Sequence, residues 1–359
     1  MIKDAIVKVV RGSDLGEEEM KTVMDEILSG GATGSQIGSL LTALRMKGET
    51  VEEISGAALA LKERMRRIDT GNHLVNMDRD EINLDDETIV DTCGTGGDGT
   101  CTFNVSTATA FVVAGAGIRV AKHGQRAVSS HCGSADVLEA LGIKLDLNLA
   151  SLERCIREIG IGFLYAPLFY SSIRYPSAPR REIGIRTLFN LLGPLTNPAG
   201  ARVQVMGVYA PELTSKMARV LKRLGSRQAF VVCGEGTFDE ISICGPTKIC
   251  RLKDGQIREF TITPEQVGLR RAKPEEIRGG KAEENAWIIR EVLDGRKGAV
   301  RDIVLLNAAA AFIAAGVDED FAGGLSRAAD SIDNGLAREK LSNLISFTGN
   351  CGVFTREGI

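Results

Sequence analysis

The residues Asp91-Thr92-Cys93-Gly94-Thr95-Gly96-Gly97-Asp98-Gly99 stand where a β-rich stretch ends, and they place three glycines in four consecutive positions. Glycine has no β-carbon and accepts positive φ, so backbone amides in such a run can close on an anion. The run leads into Asn104-Val105-Ser106-Thr107 at the expected start of a helix. Free N–H groups and a positive partial charge favour phosphate there, and Asn, Ser and Thr add side-chain donors. Asp98 is of the right type to orient a ribose hydroxyl or a metal-bound water. No Gly-Lys-Ser/Thr follows, so this is not a Walker loop. Gly115-Ala116-Gly117 closes a helix and precedes a strand, the wrong context for a dinucleotide fingerprint.

A second segment, Lys122-His123-Gly124-Gln125-Arg126-Ala127-Val128-Ser129-Ser130, carries two fixed cations, a glycine and two hydroxyls just after another strand. It suits a phosphate or pyrophosphate cradle. Gly133-Ser134-Ala135-Asp136 then opens a further helix. Adjacent acids, Asp239 and Glu240, offer the hard oxygen ligands that suit Mg²⁺, which takes one or two carboxylates and completes its shell with water and substrate phosphate. In the stretch Arg180 to Pro198 an arginine could fork onto a carboxylate, while the Gly-Pro and Asn-Pro pairs punctuate turns. Each segment alone also fits a capped turn, a solvated basic loop or an exposed acidic pair. Only three histidines occur, at 73, 123 and 131, which gives little support to a His-centred hydrolytic triad.

These segments need a scaffold that brings strand ends together. From Ile2 to about Arg67 the pattern is helical, with Thr33-Gly34-Ser35-Gln36 and Thr50-Val51-Glu52-Glu53 each fitting a capping box. Residues 70–87 are polar and acidic and read as a linker. Beyond them, candidate strands at 88–92, 118–121, 162–165, 203–209 and 228–233 alternate with helices, which predicts an α/β domain with a mostly parallel sheet. A β excursion with a turn at Asp254-Gly255 spans 248–262, and amphipathic helices, including 301–315, run to the C-terminus. The expected division is a small helical domain over 1–70, joined by part of 165–190, a linker over 71–87, and an α/β domain over 88–359.

With 359 residues, 44 basic and 47 acidic side chains and a net charge of −3, the chain has no whole-molecule reason to bind a nucleic-acid backbone. Its eight cysteines form no CxxC pair or zinc-spaced cluster, and reduced thiols in a cytoplasmic protein are expected. No apolar run approaches a membrane span and the first residues lack the core of a signal peptide, so no membrane partner is expected.

As an ordered set these segments resemble the anthranilate phosphoribosyltransferase family. The match extends from Ala43-Leu44-Arg45-Met46-Lys47-Gly48-Glu49-Thr50 through the glycine loop, Lys122-His123-Gly124 and the stretch from Arg186 to Pro198, to Leu305-Leu306-Asn307-Ala308-Ala309-Ala310. The resemblance implies that Gly94, Gly97, Asp98, Thr102, Asn104, Val105, Ser106, Thr107, the residues Lys122, His123, Gly124, Gln125, Arg126, Ala127, Val128, Ser129 and Ser130, and Ser134 surround PRPP (5-phosphoribosyl 1-diphosphate). It implies Ser106, Asp239 and Glu240 as holders of Mg²⁺. Gly94, Gln125, Tyr170 and Arg180 would face the acceptor, with Arg180 on its carboxylate. It further implies a homodimer formed through the N-terminal helices.

The departures from the family pattern fall on the acceptor side. Gln125 stands where the family usually has Asn, Tyr170-Ser171-Ser172-Ile173 where it has His-Pro-Ala-Met, and His131 where Lys is common. Changes of donor and acceptor groups in a small pocket are a route to altered selectivity. Anthranilate is the expected acceptor, another aromatic or heteroaromatic nitrogen the alternative, and a non-catalytic nucleic-acid-binding relative a third reading. The implied chemistry needs no dedicated general base: Lys122, Arg126 and the loop amides would neutralise the departing pyrophosphate.

Overall fold

The computed structural model describes residues 1–70, 73–75, 84–86, 88–97, 99–127 and 132–351, with the backbone alone for 73–75 and 84–86. Four helices come first: α1 (Ile2–Val10), α2 (Glu17–Leu28), α3 (Gly34–Lys47) and α4 (Val51–Arg64). Both expected capping boxes are formed. Thr33 Oγ1 accepts the Gln36 amide at 3.3 Å while Gln36 Oε1 accepts the Thr33 amide at 2.8 Å. Thr50 and Glu53 repeat the exchange at 3.2 and 2.8 Å. Glu53 is buried, and it also accepts from the Leu15 amide and from Lys47 Nζ, so one carboxylate caps α4 and ties down the turn between α1 and α2. Within the stretch read as a linker, β1 (His73–Val75) and β2 (Leu84–Asp86) pair antiparallel, an ordered ladder where only connection was expected.

The α/β part begins with β3 (Ile89–Gly94), α5 (Val105–Gly115), β4 (Arg119–Gly124), α6 (Ser134–Ala140), α7 (Leu149–Ile159) and β5 (Ile161–Tyr165). Helices α8 (Arg174–Ile183) and α9 (Phe189–Leu192) follow, then β6 (Val203–Gly207), α10 (Glu212–Arg223) and β7 (Gln228–Gly234). A hairpin of β8 (Thr247–Lys253) and β9 (Gln256–Ile262) turns at Asp254-Gly255, both at positive φ as a tight hairpin turn requires. Four helices close the chain: α11 (Ala282–Leu293), α12 (Ala299–Ala315), α13 (Phe321–Asp333) and α14 (Leu336–Asn350).

The seven-stranded sheet runs β5-β4-β3-β6-β7-β8-β9, parallel from β5 to β7 and antiparallel through the hairpin. Its inner strands are buried along their length, as parallel strands covered on both faces must be. One apolar cluster joins a face of the sheet to α5 and α11–α14, and a second joins the other face to α10 and the N-terminal helices. Helix α8 packs on α2 and α3, with Pro179 against Gly34 and Ile183 against Gly38.

Helix α12 departs from expectation. It is not amphipathic, because every residue from Ile303 to Ala314 is buried. It lies between the sheet, α5 and α13, and its alanines allow that close approach on all sides.

Candidate active site

The chain leaves β3 toward β4 and β5 on one side and returns to β6 and β7 on the other. A crevice therefore opens at the carboxyl ends of β3 and β6, where the strand order reverses and parallel sheets place their ligands. Gly94 and Gly207 end these two strands as register partners. Asp239 lies across both: a β-carbon on Gly207 would overlap its carbonyl, and one on Gly94 would overlap its carboxylate. Around this point is a cavity of about 300 Å³ lined by the glycine loop, the start of α5, the segment from Lys122 to Ala127, Ser134, Tyr170, Arg180, Asp239 and Glu240.

The fold thus gathers segments far apart in the chain. Gly94, Gly97, Thr102, Asn104, Val105, Ser106, Lys122, His123, Gly124, Gln125, Arg126, Ala127 and Ser134 all line the one cavity. Thr107 sits one position deeper in α5, buried beneath the lining. Asp98, Val128, Ser129, Ser130 and His131 lie outside the described residues.

Lys122 is only 3% exposed. Its ammonium donates to the Thr92 carbonyl and, at 3.1 Å, to Ser106 Oγ, fastening β4 to β3 and to the first turn of α5. Burial lowers its pKa, opposed by the nearby Asp91 carboxylate. The same burial raises Asp91, and Lys122 and hydrogen bonds from Asn197, His123 and Gln204 hold it down. Removing either of two buried opposite charges leaves the other uncompensated, which is costly.

The acid pair faces the amides expected to hold phosphate. Asp239 Oδ2 accepts the Gly96 amide at 2.8 Å, and Glu240 Oε1 accepts the Ser106 amide at 3.1 Å. Arg126, expected to neutralise pyrophosphate, lines the cavity where the loop meets α6. Its guanidinium forks onto Glu139 at 2.5 and 2.7 Å and reaches Asp136 at 3.2 Å, because α6 presents two carboxylates beside it. Arg126 therefore braces the loop on α6.

Elsewhere in the cavity lining, Arg180 lies over the Phe189 ring at 4.8 Å, and burial lowers its pKa. No ion pair to it is found among the described residues, so a carboxylate arriving in the cavity meets an uncommitted guanidinium. Tyr170 is buried with its ring 5.6 Å from that of His123, and its hydroxyl donates to the Thr196 carbonyl and lies 3.0 Å from Thr196 Oγ1. It presents ring rather than hydroxyl to the cavity. Gln125 stands exposed at the rim. His123 Nδ1 lies 3.1 Å from the Gly193 carbonyl, which requires the proton on Nδ1 and leaves Nε2 an acceptor with no hydrogen bond among the described residues. Burial pushes its pKa down to about 4, so the ring is neutral at pH 7.

Comparison with known proteins identifies the family. Residues 3–65 match the helical bundle domain of a glycosyl transferase family, and residues 86–338 match its α/β domain. The chain is 54% identical to the anthranilate phosphoribosyltransferase of Geotalea uraniireducens over 97% of its own length and 99% of the relative's. The chain belongs to the anthranilate phosphoribosyltransferase family. The crystal structure of the Thermus thermophilus member superposes with a TM-score of 0.86 at 40% identity, covering 96% of this chain and 99% of that one. The Saccharomyces cerevisiae member, solved in complex with PRPP and Mg, gives 0.84 at 27% identity over 97% and 98%. Membership in the family accords with the fold class read from the sequence.

The donor set here fits Mg²⁺. Two carboxylates and the Ser106 hydroxyl converge beside the loop amides, while no cluster of three or more His, Cys, Asp or Glu occurs among the described residues. That is the incomplete shell Mg²⁺ shares with substrate phosphates, not the closed cage of a structural metal.

Sequence reasoning missed Asn285 and, for Arg186 within the singled-out 180–198 stretch, its contact with Gly97. Asn285, buried on α11, donates to Asn104 Oδ1 at 2.9 Å and accepts the Gly280 amide at 2.7 Å, so it sets the rotamer of the α5 cap. Arg186 packs its guanidinium against Gly97 and over the Tyr209 ring at 4.5 Å. A polar residue at a core-facing helical position is the signal that could have marked Asn285. Nothing in the spacing of Arg186 indicates its contact with Gly97.

Proposed function

We propose that this protein transfers ribose 5-phosphate from PRPP to the amine of anthranilate, with Mg²⁺ and with release of pyrophosphate. The observation that carries the reading is one cavity holding the amide-rich glycine loop and acid pair at one end and, at the other, Arg180 beside aromatic rings, with no ion pair to it among the described residues. The bond from the ribose anomeric carbon to pyrophosphate breaks, the bond from that carbon to the amine nitrogen forms, and the nitrogen loses a proton after attack.

Bound Mg²⁺ supplies positive charge to the pyrophosphate, held by Asp239, Glu240 and Ser106. Lys122 adds a fixed cation and orients Ser106 Oγ, and the amides of the glycine loop and of α5 contribute their dipoles. Arg180 anchors the acceptor carboxylate, and the rings of Tyr170, Phe189 and His123 bound its aromatic face. His123 Nε2 is an acceptor for the amine N–H, though with a pKa of about 4 it is a weak base. The main contribution is alignment of the two substrates in one cavity.

Gln125 at the rim and the committed Tyr170 hydroxyl favour a second reading, the same transfer to a different aromatic nitrogen. Pyrophosphate release from PRPP and Mg²⁺, measured with anthranilate beside ring-substituted and carboxylate-free aromatic amines, tests both. Turnover with anthranilate is expected. No turnover with anthranilate while another amine reacts would overturn the first reading in favour of the second.

The exposed apolar side chains Val7 and Val10 on α1 and Met46 on α3 support a homodimer through the N-terminal helices. Light scattering at micromolar concentration checks it, and a monomeric mass contradicts it. No helix among the described residues is long and apolar enough to cross a membrane, and the reading places the activity in the cytoplasm.

A further inference from the structure

Asn307 is the exception in the buried stretch of α12: an amide among Leu305, Leu306, Ala308 and Ala309, itself 1% exposed. A helix interior there favours alanine, and a buried amide is tolerated only where its hydrogen bonds are made. They are. Asn307 Oδ1 accepts the Ile241 amide at 3.0 Å, and Nδ2 donates to the Ile241 carbonyl at 3.0 Å and to the Ile303 carbonyl at 2.9 Å. Both backbone groups of one residue are thus held by one side chain, as a neighbouring strand would hold them.

Ile241 lies outside the sheet, between the end of β7 at Gly234 and the start of β8 at Thr247. Within the connection across the sheet end, Ile241, Ser242 and Ile243 are buried, and buried backbone groups need partners. The residue held in this way directly follows Asp239 and Glu240. On their other side, the Asp239 carbonyl rests on Gly207 and its carboxylate on Gly94. The acid pair is therefore gripped between Asn307 and two glycine strand ends.

We propose that Asn307 is a positioning residue for the acid pair: its amide sets the backbone at Ile241 and through it the placing of Asp239 and Glu240 for Mg²⁺. It touches no substrate. The proposal rests on the reading of this cavity as the site of PRPP and Mg²⁺.

Asn307→Asp keeps the acceptor for the Ile241 amide and loses the donor to the Ile241 carbonyl at nearly constant shape. Calorimetric titration of PRPP at varied Mg²⁺ is the test, run on wild type, N307D and N307S. The milder N307S keeps the test available if N307D does not fold. Ile313→Val, a core change elsewhere on α12, serves as a control for general loosening.

The half-saturating Mg²⁺ concentration for PRPP binding is expected to rise by about 10- to 100-fold in the Asn307 variants, the range seen when groups that orient metal ligands are removed. It is expected to stay within about twofold in I313V. The N307D defect should shrink as pH falls, when the introduced carboxyl takes up a proton and regains a donor toward Ile241. A folded N307D or N307S with the wild-type Mg²⁺ response overturns the proposal, as does an equal shift in I313V. Wild-type protein that binds no PRPP at any Mg²⁺ concentration overturns the reading of the site and the proposal with it.

Discussion

Glu240 accepts the backbone amide of Ser106 at 3.1 Å, joining residues 134 positions apart at the first turn of α5. A carboxylate there sits in the field of a helix N-terminus, where negative charge is favoured. Glu240→Gln keeps an oxygen for the amide and removes the charge. E240Q and Asp239→Asn are each expected to raise the half-saturating Mg²⁺ concentration by about tenfold or more. Initial rates across a Mg²⁺ series check this, and unchanged Mg²⁺ dependence in both variants would remove the acid pair from the metal site.

Gly207 has no room for a β-carbon, because the Asp239 backbone lies directly on it. Gly207→Ala is expected to push the 239–241 segment off the sheet end and to cost about 1–3 kcal/mol, the range for overpacking. At Gly193 an added β-carbon meets nothing within 4 Å, so Gly193→Ala is expected to leave stability close to wild type. Urea denaturation of both variants measures the contrast, and equal losses would count against the packing argument.

Arg180 has no carboxylate partner among the described residues and stacks on Phe189. Arg180→Gln is expected to raise KM for anthranilate by about 10- to 100-fold, corresponding to roughly 1.5–3 kcal/mol for a charge-assisted hydrogen bond. KM for PRPP should move by less than about twofold. Equal effects on both substrates would assign Arg180 to general integrity of the cavity.

His123 couples folding to pH. The unfolded chain binds a proton with the ordinary histidine pKa of 6.5, while the buried ring in the folded chain resists until about pH 4. A depressed histidine pKa penalises the folded state once the unfolded one is protonated. Its effect is absent above about pH 6.5, grows as pH falls toward 4 and then levels off, to roughly 3 kcal/mol at most. Urea midpoints between pH 4 and 7 are expected to fall less steeply for His123→Gln than for wild type; parallel curves would show that His123 contributes nothing to the slope.

The Tyr170 hydroxyl bonds to Thr196 and not to the cavity. Tyr170→Phe is expected to lower stability by about 1 kcal/mol, the net value of one hydrogen bond, and to leave KM for anthranilate within about twofold. Thermal melts and steady-state kinetics on the same preparation separate the two effects. A large KM change with unaltered stability would place the hydroxyl in the acceptor site.

Much was legible in the chain because local chemistry dictated it. The capping boxes at Thr33 and Thr50 need only residues three apart, and the Asp254-Gly255 turn needs only two residues that accept positive φ. The parallel strands were visible as short β-rich runs alternating with helices, and the anion loops as glycines and hydroxyls placed where such strands end. Periodicity failed for α12, since a helix buried on all sides has no polar face to set its phase.

The sequence by itself determined most element types, though not the β1–β2 ladder, as well as the phosphate-friendly loops and, through the order of its motifs, the family. Only the tertiary structure decided how side chains were committed. Arg126 reaches Glu139 and Asp136, whereas Arg180 has no carboxylate partner among the described residues; Asn307 grips the backbone beside the acid pair, and Asn285 the cap of α5. The physical reason is that a charge or an amide acts on whatever lies within about 3 Å of it. For Glu240 that neighbour is Ser106, which no local pattern connects to it.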